Sequence, residues 1–120
     1  MFSEAVLDHF RNPRNVGELP PPAITLEVSN PACGDILRLS VRIEEGRVAE
    51  ARYKVRGCTA SIAAGSAMTE MLRGMTRTEA AALNAQAIEG VIGGLAPESK
   101  HAAVLCVDGL QSLLRRWQVL

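Results

Sequence analysis

The residues of this 120-residue chain best suited to chemistry are three cysteines, Cys33, Cys58 and Cys106, with Asp35 and His101. Thiolate sulfur, imidazole nitrogen and carboxylate oxygen together form a mixed set of soft, borderline and hard donors, suited to zinc, iron or an iron–sulfur cluster. Cys33 and Asp35 flank Gly34, and Cys58 follows Gly57, so the backbone can bend tightly beside both thiols. Cys58 also stands just before a predicted helix, where unpaired backbone N–H groups and the helix dipole favour anionic ligands. Taken singly, each residue has a plainer role: a lone Cys is usually a small core residue, an Asp after Gly a turn former, and a lone His surface or satisfied core. The odd number of cysteines, far apart in the chain, fits a reducing compartment and a metal or thiolate role better than a disulfide framework.

The elements that must position these residues can be read from periodicity. Ser3 can cap a short helix from about Glu4 to Phe10, with Leu7 and Phe10 sharing a face. After a stiff, proline-rich stretch from Glu18 to Pro22, Ile24, Leu26 and Val28 alternate with polar residues as in a strand. Leu37, Leu39, Val41 and Ile43 form a second strand, Glu44-Glu45-Gly46 a hairpin connection, and Ala51, Tyr53 and Val55 a third strand ending at Gly57. The period then changes. Helices are expected over Ile62 to Arg73, from the Thr76–Glu79 capping box through Leu83, and over Ala85 to Ile92. A last helix is expected after a Ser99 cap, with Ala103, Cys106, Val107, Leu110, Leu113, Leu114 and Trp117 as one apolar stripe that must lie on the sheet.

Strands followed by helices give an α+β fold: a small three-stranded antiparallel sheet with helices packed on one face. In such a meander the Cys33–Asp35 loop and the end of the third strand, where Cys58 sits, share one end of the sheet. His101, in the first turn of the last helix, completes a four-ligand set if that helix end reaches the same rim.

Composition narrows the class. With 13 Lys+Arg against 13 Asp+Glu the formal net charge is zero, and aromatic residues are 3% of the chain, which argues against nucleic-acid partners on both phosphate and base-stacking grounds. Hydrophobic residues at 48% and charged residues at 22% are those of a globular protein. A chain of this length buries about two-thirds of its unfolded surface, so any metal is expected to be functional rather than a folding staple. No apolar run approaches a membrane span and no targeting signal opens the chain, so the expected location is the cytoplasm. The outward sheet face is expected to present Arg38, Arg42, Arg52, Lys54 and Arg56, a solvated face neutralised by Glu27, Glu44, Glu45 and Glu50.

Three segments carry a family resemblance: Asp8-His9-Phe10 followed by Asn12-Pro13-Arg14-Asn15-Val16-Gly17, then Pro31-Ala32-Cys33-Gly34-Asp35, then Gly57-Cys58-Thr59-Ala60-Ser61-Ile62-Ala63. In order and spacing they resemble the U-type iron–sulfur cluster assembly scaffolds, IscU and the amino-terminal domain of NifU. The resemblance covers nearly the whole chain and implies a single scaffold domain over residues 1–120, an IscU/NifU-N-like fold, and Cys33, Asp35, Cys58 and His101 as metal ligands.

It further implies a non-enzymatic scaffold or carrier that binds iron and a transient iron–sulfur cluster. Such a protein receives sulfur from a cysteine desulfurase and passes the cluster to recipient iron–sulfur apoproteins. A homo-oligomer supplying further ligands is compatible with this sequence. An alternative on the same residues is a zinc-bound sulfur acceptor that activates a cysteine desulfurase, as in the SufU type. A third reading, motivated by Ala102 and independent of Cys33 and Cys58, is a degenerate regulator that binds the desulfurase without holding metal.

Two departures from the family pattern stand out. The family's third cysteine position is Ala102 here, and Cys106 stands one helical turn beyond it, which would put its sulfur about 4 to 6 Å from the missing one. Cys106 is thus a candidate displaced ligand, although its place in the apolar stripe favours a buried core thiol. The segment Leu95-Ala96-Pro97-Glu98-Ser99-Lys100 keeps only Leu95 and Pro97 of the Leu-Pro-Pro-Val-Lys stretch that a dedicated Hsp70-type chaperone reads in many members.

Overall fold

A computed structural model of the protein describes residues 2–31 and 34–117. The expected meander forms: β1 (Ile24–Asn30), β2 (Asp35–Glu44) and β3 (Arg47–Arg56) pair antiparallel in the order β1-β2-β3. Glu45 and Gly46 both have positive φ, 52° and 74°, and Glu44 pairs with Arg47, so a two-residue turn of the primed kind closes the hairpin. Alternation then sends Leu37, Leu39 and Val41 of β2 and Ala51 and Tyr53 of β3 into the core, each at most 3% exposed.

Five α-helices accompany the sheet: α1 (Glu4–Arg11), α2 (Thr59–Leu72), α3 (Arg77–Ala82), α4 (Ala85–Val91) and α5 (His101–Arg116). The helix α2 packs on β3, and α5 on β1 and β2. Close approach is built into the helices, because a Cβ on Gly65 of α2 would stand 2.6 Å from the Tyr53 ring and one on Gly109 of α5 2.8 Å from Leu37 Cδ2. Along α5 the buried stripe includes Ala103, Cys106, Leu110 and Leu113, continues to Trp117, and also contains Leu105. Val107 and Leu114 flank it, partly buried. Arg77 finishes α5 by donating to the carbonyls of Leu114 and Trp117, both at 2.8 Å, which satisfies acceptors the helix end leaves open.

Three local expectations are corrected. The helix α1 buries Val6 and His9, while Phe10 is 39% exposed, because the His9 ring docks on Ser66 of α2 with Nδ1 2.8 Å from Oγ. The helix α2 begins at Thr59, three residues before the expected Ile62, with Cys58 as its N-cap. Ser99 does not cap the last helix: Pro97–Ser99 forms a 3₁₀ turn and Lys100 takes the N-cap position without a side-chain bond. The expected capping box is present, with Thr76 and Glu79 bonded reciprocally.

The chain before β1 guards the outer edge of β3, where Tyr53 N donates to Asn15 O and Gly17 N to Tyr53 O, each at 2.9 Å. On the outward face Arg42 pairs with Glu44 and Glu50, and Arg52 with Glu50. Arg38 bonds Glu18 at 2.6 Å as well as approaching Glu27, a partner from the pre-strand segment that alternation alone does not indicate. Among the described residues, no helix is long and apolar enough to cross a membrane.

Candidate metal centre

Antiparallel register builds the site. Pairing of Asn30 with Asp35 closes the β1–β2 turn, and Gly34, at φ +76°, donates its N–H to Asn30 O at 2.7 Å. Asp35 is therefore the first residue of β2, at the sheet rim. On the other side Ile36 pairs with Arg56, so the chain leaving β3 runs past Asp35 before α2 starts. Gly57 makes that passage feasible: a Cβ there would lie 2.6 to 2.9 Å from the atoms of the Asp35 carboxyl group. Cys58 follows as the exposed N-cap of α2.

The third donor comes from α5. His101 is its first residue, and packing α5 against both sheet and α2 brings its ring to the rim. Cys58 Sγ is 3.5 Å from His101 Nε2 and 3.4 Å from Asp35 Oδ2, and His101 Nε2 is 3.6 Å from Asp35 Oδ2. All three donor atoms lie within 4.8 Å of one another. One sulfur, one nitrogen and one oxygen at this mutual spacing could close around a single ion of zinc or iron size.

The electrostatics suit a cation. Burial to 5% exposure would by itself raise the Asp35 pKa. Hydrogen bonds from the Ser61 hydroxyl and from the Cys58 thiol and backbone N–H, together with His101, outweigh that and hold the carboxyl below its usual range. The acid at this rim is thus an anion at neutral pH.

Of the expected site residues, Asp35, Cys58 and His101 converge; Cys33 lies outside the described residues. Cys106 is 1% exposed within the core, where burial pushes its thiol up to about 12, and it is not in the donor group. Ala102, next to His101, is fully buried. Sequence reasoning passed over Ser61, which donates to Asp35 Oδ2 at 2.5 Å and lies 3.4 Å from Cys58 Sγ. Its spacing three residues after Cys58 puts it on the same face as that residue only because α2 starts at Thr59, earlier than expected, and nothing in the spacing points it at Asp35.

Fold and donor set together define a small α+β protein with three side chains of metal-ligating type grouped at one rim of its sheet. The chain belongs to the NifU-like N-terminal domain family, which matches residues 1–119. It is 38% identical over 122 residues to the iron–sulfur cluster assembly scaffold protein IscU of Azotobacter vinelandii, spanning 98% of this chain and 94% of that one. It is 36% identical over 111 residues to the scaffold protein IscU 1 of Archaeoglobus fulgidus, spanning 92% of this chain and 72% of that one. The fold matches a crystal structure of a NifU-like N-terminal protein from Brucella abortus with a TM-score of 0.63 at 23% identity, over 93% of this chain and 79% of that one. It also matches the SUF-system protein FiSufU of Fervidobacterium islandicum with a TM-score of 0.64 at 20% identity, over 94% and 87%.

Proposed function

We propose that the protein is an iron–sulfur cluster assembly scaffold or carrier. Iron and the nascent cluster are its cargo, and Cys33, Asp35, Cys58 and His101 are the ligands. Sulfur comes from a cysteine desulfurase, and recipient iron–sulfur apoproteins take the finished cluster. The observation that carries this reading is the convergence of Asp35, Cys58 and His101 donor atoms within 4.8 Å in a chain of this family. Relatives named as scaffold proteins support a carrier rather than an enzyme. The work is placed in the cytoplasm, whose reducing conditions keep the thiols available.

The chemistry follows from exposure and donor type. As thiolate, exposed Cys58 attacks the outer sulfur of the desulfurase's cysteine persulfide. The new S–S bond forms on Cys58, the old one breaks, and its electron pair leaves with the donor cysteine as a thiolate. An external dithiol then supplies two electrons: the Cys58 S–S bond breaks, the delivered sulfur leaves as sulfide, Cys58 returns to its thiolate and the dithiol becomes a disulfide. Asp35 offers iron a hard oxygen beside soft sulfur, a weaker match that favours release of the cargo.

A second reading, a zinc-bound sulfur acceptor that stimulates the desulfurase, is favoured by the mixed sulfur, nitrogen and oxygen donor set, which also suits tetrahedral zinc. The two are separated by anaerobic reconstitution with iron, cysteine and a desulfurase, with persulfide on Cys58 read before a dithiol reductant is added, followed by incubation with an apo-ferredoxin. The scaffold reading expects a visible chromophore that moves to the ferredoxin. Tightly held zinc with persulfide on Cys58 and no chromophore would overturn it in favour of the acceptor.

A further inference from the structure

We infer that Ser61 is a positioning residue of this centre, whose hydroxyl fixes the Asp35 carboxylate in the orientation that lets it share an ion with Cys58 and His101. The inference rests on the metal-binding reading above and assigns a role to a residue outside the ligand set.

Asp35 is confined from two sides. Its carboxyl group fills the space that a side chain on Gly57 would need, at 2.6 to 2.9 Å from the missing Cβ. From the helix side, Ser61 Oγ donates to Oδ2 at 2.5 Å, the short distance of a hydroxyl bonded to an ionised acceptor. Ser61 is 1% exposed, so water does not compete for that proton. The oxygen it holds is also the one that faces both other donors, 3.4 Å from Cys58 Sγ and 3.6 Å from His101 Nε2.

A hydroxyl carries one proton, and between the Asp35 anion and the sulfur 3.4 Å away the carboxylate is the stronger acceptor. The terminal torsion of an aspartate is otherwise broad and close to two-fold. The Cys58 backbone N–H also bonds this carboxyl group, and Ser61, by holding Oδ2 from the helix side, completes the restraint on a rotation that ion binding would otherwise have to freeze. Helix geometry makes the contact dependable, because Ser61 is the third residue of α2 and stacks under its Cys58 cap.

Outer hydrogen-bond partners of metal ligands are worth about 10–100-fold in affinity when removed. The test uses Co²⁺ alone, bound anaerobically and titrated against a chelator, with the thiolate-to-cobalt absorption band reporting thiolate ligation and its weakening in Cys58→Ser assigning the Cys58 share. Ser61→Ala is expected to raise the Co²⁺ dissociation constant by about 10–100-fold while the band remains. The isosteric pair Ser61→Thr and Ser61→Val keeps the comparison valid if Ala perturbs folding: Thr retains near-parent affinity and Val loses it. In an Asp35→Ala background, Ser61→Ala is expected to add less than about twofold, because its effect runs through the carboxylate.

Unchanged affinity in Ser61→Ala, equal affinity in the Thr and Val variants, or an undiminished loss in the Asp35→Ala background would each overturn the positioning role. A parent protein that binds Co²⁺ without a thiolate band would instead overturn the metal-site reading on which this inference rests.

Discussion

At the scale of single residues, the same element, sulfur, takes two roles in this chain because of burial. Cys58 stands exposed at a helix cap beside a carboxylate and an imidazole, whereas Cys106 is 1% exposed among aliphatic side chains. Burial pushes the Cys106 thiol up to about 12, so at pH 8 only about one molecule in 10⁴ carries the reactive thiolate there. Iodoacetamide at pH 8 is therefore expected to alkylate Cys58 in the folded protein and to reach Cys106 only after denaturation. Peptide mass spectrometry reads the outcome, and labelling of Cys106 at a rate comparable to Cys58 would contradict its placement as core. Cys106 could be read from sequence as a core residue because it shares a 3.6-residue stripe with Leu110, Leu113 and Trp117. Ser61 could not be read as a partner of Asp35, since its bond spans 26 positions and depends on how β2 and α2 meet.

At the scale of elements, α1 is tied to α2 by a buried polar contact rather than by apolar packing alone. His9 Nδ1 meets Ser66 Oγ at 2.8 Å, and the same hydroxyl accepts Arg14 N–H at 2.9 Å. Burial lowers the His9 pKa below its usual 6.5, and Arg14 adds to the shift against the opposing pull of Glu70 and Asp8. The unfolded chain then binds more protons than the folded one just below that pH. Stability is accordingly full above pH 6.5 and declines as pH falls below it. Urea denaturation at pH 7.5 and 5.5 is expected to show the decline, and His9→Gln is expected to flatten it; equal slopes in both proteins would contradict the account.

Element types were legible where apolar spacing was unambiguous, as in Leu37-Leu39-Val41, and boundaries failed where it was not. The helix α2 is buried on nearly every side from Ala60 to Thr69, so it has no polar stripe to mark its first turn. The Ser99 cap failed because Pro97 starts a tighter turn that uses those residues before α5 begins.

At the scale of the whole molecule, the centre joins parts of the fold that are remote in sequence. Asp35 belongs to β2, Cys58 to the start of α2 and His101 to the start of α5, so an ion held by all three cross-links the sheet to both of its major helices. Zn²⁺ at 100 times its dissociation constant is expected to stabilise the fold by about 2.7 kcal/mol, an upward shift of several degrees in Tm. Asp35→Ala should reduce that gain, and a Tm that ignores the metal would show that the three elements do not share it. The α+β class, the sheet order and the meeting of Asp35 with Cys58 follow from strand alternation and the reversal of direction at each turn. The arrival of His101 at the same rim depends on the placement of α5 in three dimensions, and no periodic pattern encodes that.

The central claim is that Asp35, Cys58 and His101 hold cluster cargo together. Its most direct test is the iron and acid-labile sulfide bound per chain after anaerobic reconstitution, in the parent and in Cys58→Ser and His101→Ala. The account predicts iron with sulfide in the parent, loss of at least about tenfold of both in Cys58→Ser, and a reduced, less stable load in His101→Ala, with the fold retained in each by circular dichroism. Equal iron and sulfide in the parent and Cys58→Ser would contradict it.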